Sequence, residues 1–269
     1  MPERVAWLDQ LPSLVAQLAR RWSLTIDEPF EATCAWVAPA VRAGGTQAVM
    51  KISMPHMEAE HEIEGLRVWA GDPTVRLLEA DDDLGAMLLE RCTPGTSLRS
   101  VPEPEQDHVI AGLLRRLWRV PPAPNVFRPL SLMVAHWCEE TRADSARWRD
   151  IALVEDGLRV FEELTSGGDD GVLLATDLHA GNVLRAQRES WLVIDPKPFI
   201  GDPAYDATQH LLNCKPRVQA DPRGTVRRFA ELLDVDFDRV RLWLFARVAA
   251  EPRDTWEANA VALARLLRS

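Results

Sequence analysis

The apolar positions of this chain fall into two rhythms. Over residues 5–22, Leu8, Leu11, Val15, Leu18 and Ala19 recur at helical spacing and predict a helical lead-in interrupted at Pro12. Strand-like runs follow at 31–41 and 46–53, and Arg42-Ala43-Gly44-Gly45 between them reads as a hairpin turn. Residues 57–70 return to helical spacing, with Ile63, Leu66 and Trp69 on the face turned to a sheet. Two more strands, 74–80 and 86–90, flank the charged loop Asp81-Asp82-Asp83, and the turn-rich segment Arg91–Thr96 then marks a lobe boundary. Beyond it helices are expected at 105–119, 130–142 and 151–164, with a proline-rich connector at 120–129 and a glycine-rich loop at 167–171. An apolar run, 172–175, leads into a tight loop, 176–182. Two short strands, 183–186 and 191–194, are joined by the polar turn 187–190. Helices at 203–212, 224–233, 238–250 and 256–267 complete the chain. The expectation is an α/β (α+β) fold: a β-rich N-terminal lobe over 1–91, with its lead-in at 1–23, and a mostly helical lobe over 92–269.

The loop at 176–182 carries Asp177-Leu178-His179-Ala180-Gly181-Asn182, and the strand after it ends in Ile194-Asp195-Pro196. An Asp, an Asn five positions on and a second Asp ending an apolar strand supply what phosphoryl transfer needs. One group accepts or orients the attacking hydroxyl, and two oxygen ligands serve Mg²⁺. The hairpin is expected to carry Asp195 back beside Asn182. Taken singly, each of the three has an ordinary alternative as a turn residue or a strand stop; their order and spacing point to a kinase.

Asp-Leu-His-Ala-Gly-Asn, then Ile-Asp-Pro, then Gly201-Asp202-Pro203-Ala204-Tyr205-Asp206 resembles the aminoglycoside phosphotransferase family, a branch of the protein-kinase-like fold. Trp191–Pro198 together with Tyr205-Asp206-Ala207-Thr208-Gln209-His210 is similar to the streptomycin 6-kinase and hydroxyurea-resistance kinase subgroup, and the likeness runs over nearly the whole chain. The resemblance implies a two-lobed kinase using ATP and Mg²⁺, with Asp177 as catalytic base and Asn182 and Asp195 as metal ligands. Lys51, which shares a strand face with Val49, would contact the α and β phosphates; the plain alternative is an edge lysine reaching water. Glu62 would orient it, with Glu60 second among the helix acids Glu58, Glu60, Glu62 and Glu64. Backbone groups at Glu90 and Cys92 would bind the adenine edge. Two departures stand out. Ala175-Thr176 replaces the usual His-Gly before the catalytic Asp, so Asp206 is expected either to brace the loop or to cap a helix. The phosphate-covering turn, Glu31-Ala32-Thr33-Cys34, has no glycine.

Charge narrows the partners. With 31 Lys plus Arg against 41 Asp plus Glu, the net charge is −10. Such a chain suits neither nucleic acid nor an anionic membrane, and it attracts a cationic small molecule. Asp202, Glu251, Asp254 and Glu257, the last three around Trp256, are candidate contacts for a cationic hydroxylated substrate or, alternatively, solvated helix acids. His56 and His61 lie five apart rather than four and read as a solvated helix face, not a zinc pair. Cys34, Cys92, Cys138 and Cys214 form no C-x-x-C pair, which argues for a reducing cytoplasm. No apolar run reaches the roughly 18 residues of a membrane span, and the first residues do not read as an export signal. The expected activity is ATP-dependent phosphorylation of a hydroxyl on streptomycin. The alternatives are hydroxyurea or another hydroxylated metabolite as acceptor, and a catalytically silent kinase-like binding protein.

Overall fold

The computed structural model describes residues 2–167, 171–252 and 258–268. The chain forms two compact units, Met1–Thr96 with Leu184–Lys197, and Ser97–Val183 with Pro198–Ser269.

The first unit is built on an antiparallel sheet of β1 (Leu24–Ile26), β2 (Ala35–Arg42), β3 (Gln47–Ser53), β4 (Leu77–Asp81) and β5 (Ala86–Glu90), in the order β1-β2-β3-β5-β4. The pleat of β3 sends Met50 and Ile52 to one face, where they pack with Leu88 against Leu11 and Leu18 of α1 (Pro2–Arg21). On the other face Val49 packs with Met87, Leu89 and Leu66 of α2 (Glu62–Trp69), and the side chain of Lys51 points to this side. α1 does not break at Pro12 as expected. The ring lies on the exposed side of the helix, where the hydrogen bond it forgoes is open to water.

Three expected boundaries shift for identifiable reasons. β2 starts at Ala35 because Phe30 N–H donates to Val37 O (2.8 Å), folding residues 31–34 into a loop. β4 starts at Leu77 because residues 73–75 pair instead with the chain returning at Val193: Val75 N–H donates to Val193 O (3.0 Å) and Val193 N–H to Pro73 O (3.1 Å). The expected helix 57–70 is split into a 3₁₀ turn, Met57–Ala59, and α2, with His61 at φ 65° between them. β7 (Val183–Arg185) and β8 (Trp191–Val193) form the expected hairpin, and Leu192 enters the core beneath α2.

The second unit is helical: α3 (Glu103–Leu117), α4 (Leu130–Ala143), α5 (Ile151–Thr165), α6 (Pro203–Asn213), α7 (Lys215–Ala220), α8 (Pro222–Leu233), α9 (Phe237–Ala250) and α10 (Ala258–Arg268). β6 (Val172–Leu174) pairs antiparallel with β9 (Phe199–Gly201), a strand the sequence did not announce. An aromatic cluster of Trp137, Phe161, Tyr205 and Trp243 binds α4, α5, α6 and α9 together, with Tyr205 edge-on to Trp243 at 5.3 Å. Among the described residues no helix is long and apolar enough to cross a membrane.

Candidate active site

In the sheet unit the candidate residues converge on one ammonium. Lys51 on β3 is 6% exposed and Glu62, the first residue of α2, 3%. Lys51 Nζ donates to both carboxylate oxygens of Glu62 at 2.6 Å and also to Asp195 Oδ1. Burial alone would drive the proton off Lys51, but the two carboxylates outweigh it and raise its pKa above the ordinary lysine value. Glu60 ends the 3₁₀ turn before α2, so the carboxylate on Lys51 is Glu62's. Asp195 follows β8 and takes φ 53°, a left-handed backbone that aspartate tolerates at some cost, and its side chain stays 44% exposed. His56 accepts from Ala59 N–H (2.9 Å) and so caps the 3₁₀ turn, which accounts for it without a metal.

At the end of β5 the Glu90 carboxylate is clamped by Arg188 from the β7–β8 turn, Nε at 3.0 Å and Nη2 at 2.9 Å, and by Arg76 N–H at 3.0 Å. Burial opposes ionisation of Glu90, yet these donors win and hold its pKa below the usual glutamate value. Cys92 is buried two residues on, and burial pushes its thiol up to about 11. It is an inert neutral thiol at physiological pH.

In the helical unit the loop after β6 is held by a buried carboxylate. Thr176 has φ 45°, rare for a β-branched residue, and Asp177 N–H turns back onto Ala175 O at 2.6 Å. Asp206 stabilises this conformation, accepting from Ala175 N–H (3.0 Å), Thr176 N–H (2.8 Å) and the Trp118 indole (3.0 Å). Of the two roles open to it, Asp206 braces the loop; the cap of α6 is Asp202, which accepts from Ala204 N–H (3.0 Å). Burial raises the Asp206 pKa to about 6 against the pull of those donors. His179 Nδ1 accepts from Gly181 N–H (2.9 Å), and Asn182 Nδ2 donates to the Asp177 carbonyl (3.0 Å). Asp177 Oδ1 accepts from Gln209 Nε2 at 2.6 Å.

Over residues 21–256 the chain matches the family of aminoglycoside/hydroxyurea antibiotic resistance kinases. The chain belongs to that family. It is 39% identical to the streptomycin 6-kinase of Streptomyces griseus over 90% of its own length and 82% of that protein's. To the hydroxyurea phosphotransferase of Kitasatospora aureofaciens it is 35% identical, over 90% of its own length and 72% of the other's. A solved choline/ethanolamine kinase family protein from Mesorhizobium loti superposes with a TM-score of 0.66 at 13% identity, covering 96% of this chain and 94% of that one. The fold is protein-kinase-like, with a small β-rich N-lobe and a helical C-lobe.

Two residues of this kinase escaped the sequence reading. Nothing local marks Gln209, whereas Arg247 carries a signal: a lone arginine in the apolar stretch Leu244–Ala250 points to a buried partner. Arg247 is 4% exposed; its Nη2 donates to Gln209 Oε1 (2.9 Å), Nη1 to Thr208 Oγ1 (2.8 Å) and Nε to Glu251 Oε2 (2.8 Å). Burial works against its charge, but Glu251 and its other partners raise its pKa further. Of the expected substrate acids, Asp202 is engaged by Arg239, by the Trp243 indole and by the start of α6. Glu251 lies on the wall of a cavity of about 470 Å³ among α6, α7, α9 and α10, with Gln209, Asn213, Gln219 and Asn259. Asp254 and Glu257 lie outside the described residues.

Proposed function

We propose that this kinase transfers the γ-phosphoryl group of ATP to a hydroxyl of streptomycin. The observation that carries the phosphoryl-transfer reading is the buried Lys51–Glu62 pair, with Asp195 on the same ammonium. An ion pair so desolvated is weak evidence of stability, which favours a role in binding. The acceptor reading rests on the likeness to the two named antibiotic kinases.

The chemistry of the donor set fits Mg²⁺. Asn182 spends its amide N–H on Asp177, which leaves Oδ1 as the ligand atom, and Asp195 adds a half-exposed carboxylate. Hard oxygens, few in number, suit an ion that keeps phosphates and water as its other ligands. When bound, the ion would neutralise the phosphate oxygens. Lys51, held protonated, would take the α and β phosphates, with Glu62 fixing its direction. Backbone groups at Glu90 and Cys92 would meet the adenine edge, on a strand end that Arg188 keeps still. Asp177 would accept the hydroxyl proton.

In this reading residues 1–91 bind the nucleotide, and 92–269 supply the base and the acceptor pocket. The cavity beside Gln209 would hold the acceptor: side-chain amides suit a polyhydroxylated molecule, while both oxygens of Glu251 are already taken by Arg247. Asp202 is assigned no substrate contact, since its oxygens serve the fold. The net charge of −10 favours a cationic small molecule over nucleic acid or an anionic membrane, and dependence on ATP places the reaction in the cytoplasm.

The test is ATP turnover with streptomycin, with hydroxyurea and with a panel of hydroxylated metabolites, the product being identified by mass. Phosphorylated streptomycin is the expected outcome. Turnover of hydroxyurea or a metabolite alone would move the acceptor and leave the chemistry intact. ATP binding without turnover of any of them would mark a silent binding protein, against which Lys51, Asp177, Asn182 and Asp195 all stand.

A further inference from the structure

Asp177 lies among polar side chains, with His179 Nε2 4.0 Å from its Oδ1. Its Oδ1 takes a 2.6 Å bond from the Gln209 side chain on α6, and Asn182 Nδ2 stands 3.5 Å from Oδ2. A glutamine amide can in principle face either way, presenting oxygen or NH₂. Here the choice is made one residue further off. Arg247 on α9 has only donors, and its Nη2 lies 2.9 Å from Gln209 Oε1. The oxygen of Gln209 must therefore face Arg247, and the NH₂ must face Asp177. The guanidinium is itself fixed three ways: by Thr208, by the paired oxygens of Glu251, and by stacking on Tyr205 at 5.0 Å and Trp137 at 5.7 Å. Nothing in this chain of contacts can swing without breaking a charged hydrogen bond.

We infer that Gln209 is a positioning residue for Asp177, and that Arg247 sets the polarity of its amide so that Asp177 is presented with a donor at all times. The inference rests on the reading of Asp177 as the base. Gln209 is a neutral amide, so this contact orients Asp177 through Oδ1 without itself adding a charge beside the carboxylate. A lysine or arginine in the same place would hold the carboxylate as firmly and weaken it as a base. The device also touches the proposed acceptor pocket, since Gln209, Arg247 and Glu251 all line the same cavity.

The test compares wild type, Gln209→Met, Gln209→Glu and Asp177→Asn with ATP, Mg²⁺ and streptomycin or hydroxyurea as acceptor. Gln209→Met keeps the length of the side chain and loses both hydrogen bonds. It is expected to lower kcat roughly 10- to 100-fold, the worth of a hydrogen bond to a charged group, with KM for ATP unchanged. Gln209→Glu keeps a partner for Arg247, and so the packing, but turns an acceptor toward Asp177. Its kcat should fall at least as far at pH 8 and recover in part toward pH 6, where a shared proton relieves the two carboxylates. Asp206, which braces the same loop, also titrates near 6, so the recovery is read as the excess over wild type across the same pH range; a merely structural role would give no excess. Wild-type kcat with an unchanged pH profile in both Gln209 variants, beside an inactive Asp177→Asn, would overturn the positioning role alone. An active Asp177→Asn, or a wild-type chain that phosphorylates neither acceptor, would overturn the underlying reading and this inference with it.

Discussion

In the sheet unit, Glu62 and Asp195 share the buried ammonium of Lys51; in the helical unit, Asp177 takes a hydrogen bond from the neutral amide of Gln209, with His179 Nε2 4.0 Å away and Arg247 one side chain further off. The first arrangement is tightly coupled. Removing one charge leaves its partners uncompensated in a poorly solvated place, and a phosphate entering there must share an ammonium already in use. The second fixes a direction through an uncharged donor. In the proposed reading, the group that binds phosphate and the group that takes up a proton are thus held by different means, a shared ion pair and an amide hydrogen bond.

The widest separation between the two halves should come from Asp177→Ala. Turnover should fall by about 10²- to 10⁴-fold, the usual worth of a positioned base, while ATP binding measured by calorimetry survives. Asp206→Ala should act on stability instead. It strands the N–H groups of Ala175 and Thr176 and the Trp118 indole, at a cost of about 2–4 kcal/mol in urea unfolding. Because burial raises the folded pKa of Asp206 to about 6, above its unfolded value, the ionised form is the less stable one in the fold. Its contribution is therefore largest at low pH and declines as pH rises through about 6. The stability gap between wild type and Asp206→Ala should be about 1 kcal/mol narrower at pH 8 than at pH 5, and a widening gap would show that the carboxylate is held ionised.

Asp195→Ala should weaken calorimetric binding of ATP with Mg²⁺ by about tenfold or more, some 1.4 kcal/mol, and unchanged affinity with unchanged turnover would remove it from the metal site. For the coupled half, Lys51→Ala should reduce kcat more than Glu62→Ala, and the double variant should lose less than the sum by about 0.5–3 kcal/mol. Strict additivity would break the contrast, showing that Glu62 does not act through Lys51. The smallest effect concerns the acceptor: KM for streptomycin should rise severalfold between low and physiological salt, while that for a neutral polyol stays flat. A flat response for both would leave the kinase and discard charge as its means of selection.

What the sequence disclosed follows from how far each feature reaches along the chain. Asp177, Asn182 and Asp195 were legible because a loop and a hairpin fix their spacing locally, and Lys51 because strand alternation puts it on a definite face. Glu62 came from family likeness rather than periodicity, since the helix it opens starts after a break at His61 that spacing did not show. β1, β9 and α7 are three to six residues long, too short for any period to register. Gln209 and Arg247 required knowing that α6 and α9 pack together, which only the three-dimensional fold supplies. Asp206 was foreseen as a brace or a cap because an acid near a helix start has both options. The choice between them depended on where β6 ends.

The hydrogen bonds joining Val193 to Pro73 and Val75 give the sheet unit an awkward position in time. During synthesis its strands leave the ribosome first, yet its last pieces, Leu192 and the residues after it, come only after 97–183 have been made. At about 5–20 residues per second, the nascent chain carries an open apolar face at Leu66, Met87 and Leu89 for several seconds or longer. Through that interval Lys51 and Glu62 have no Asp195 beside them, so the three-membered charge cluster is completed during translation only when the hairpin arrives.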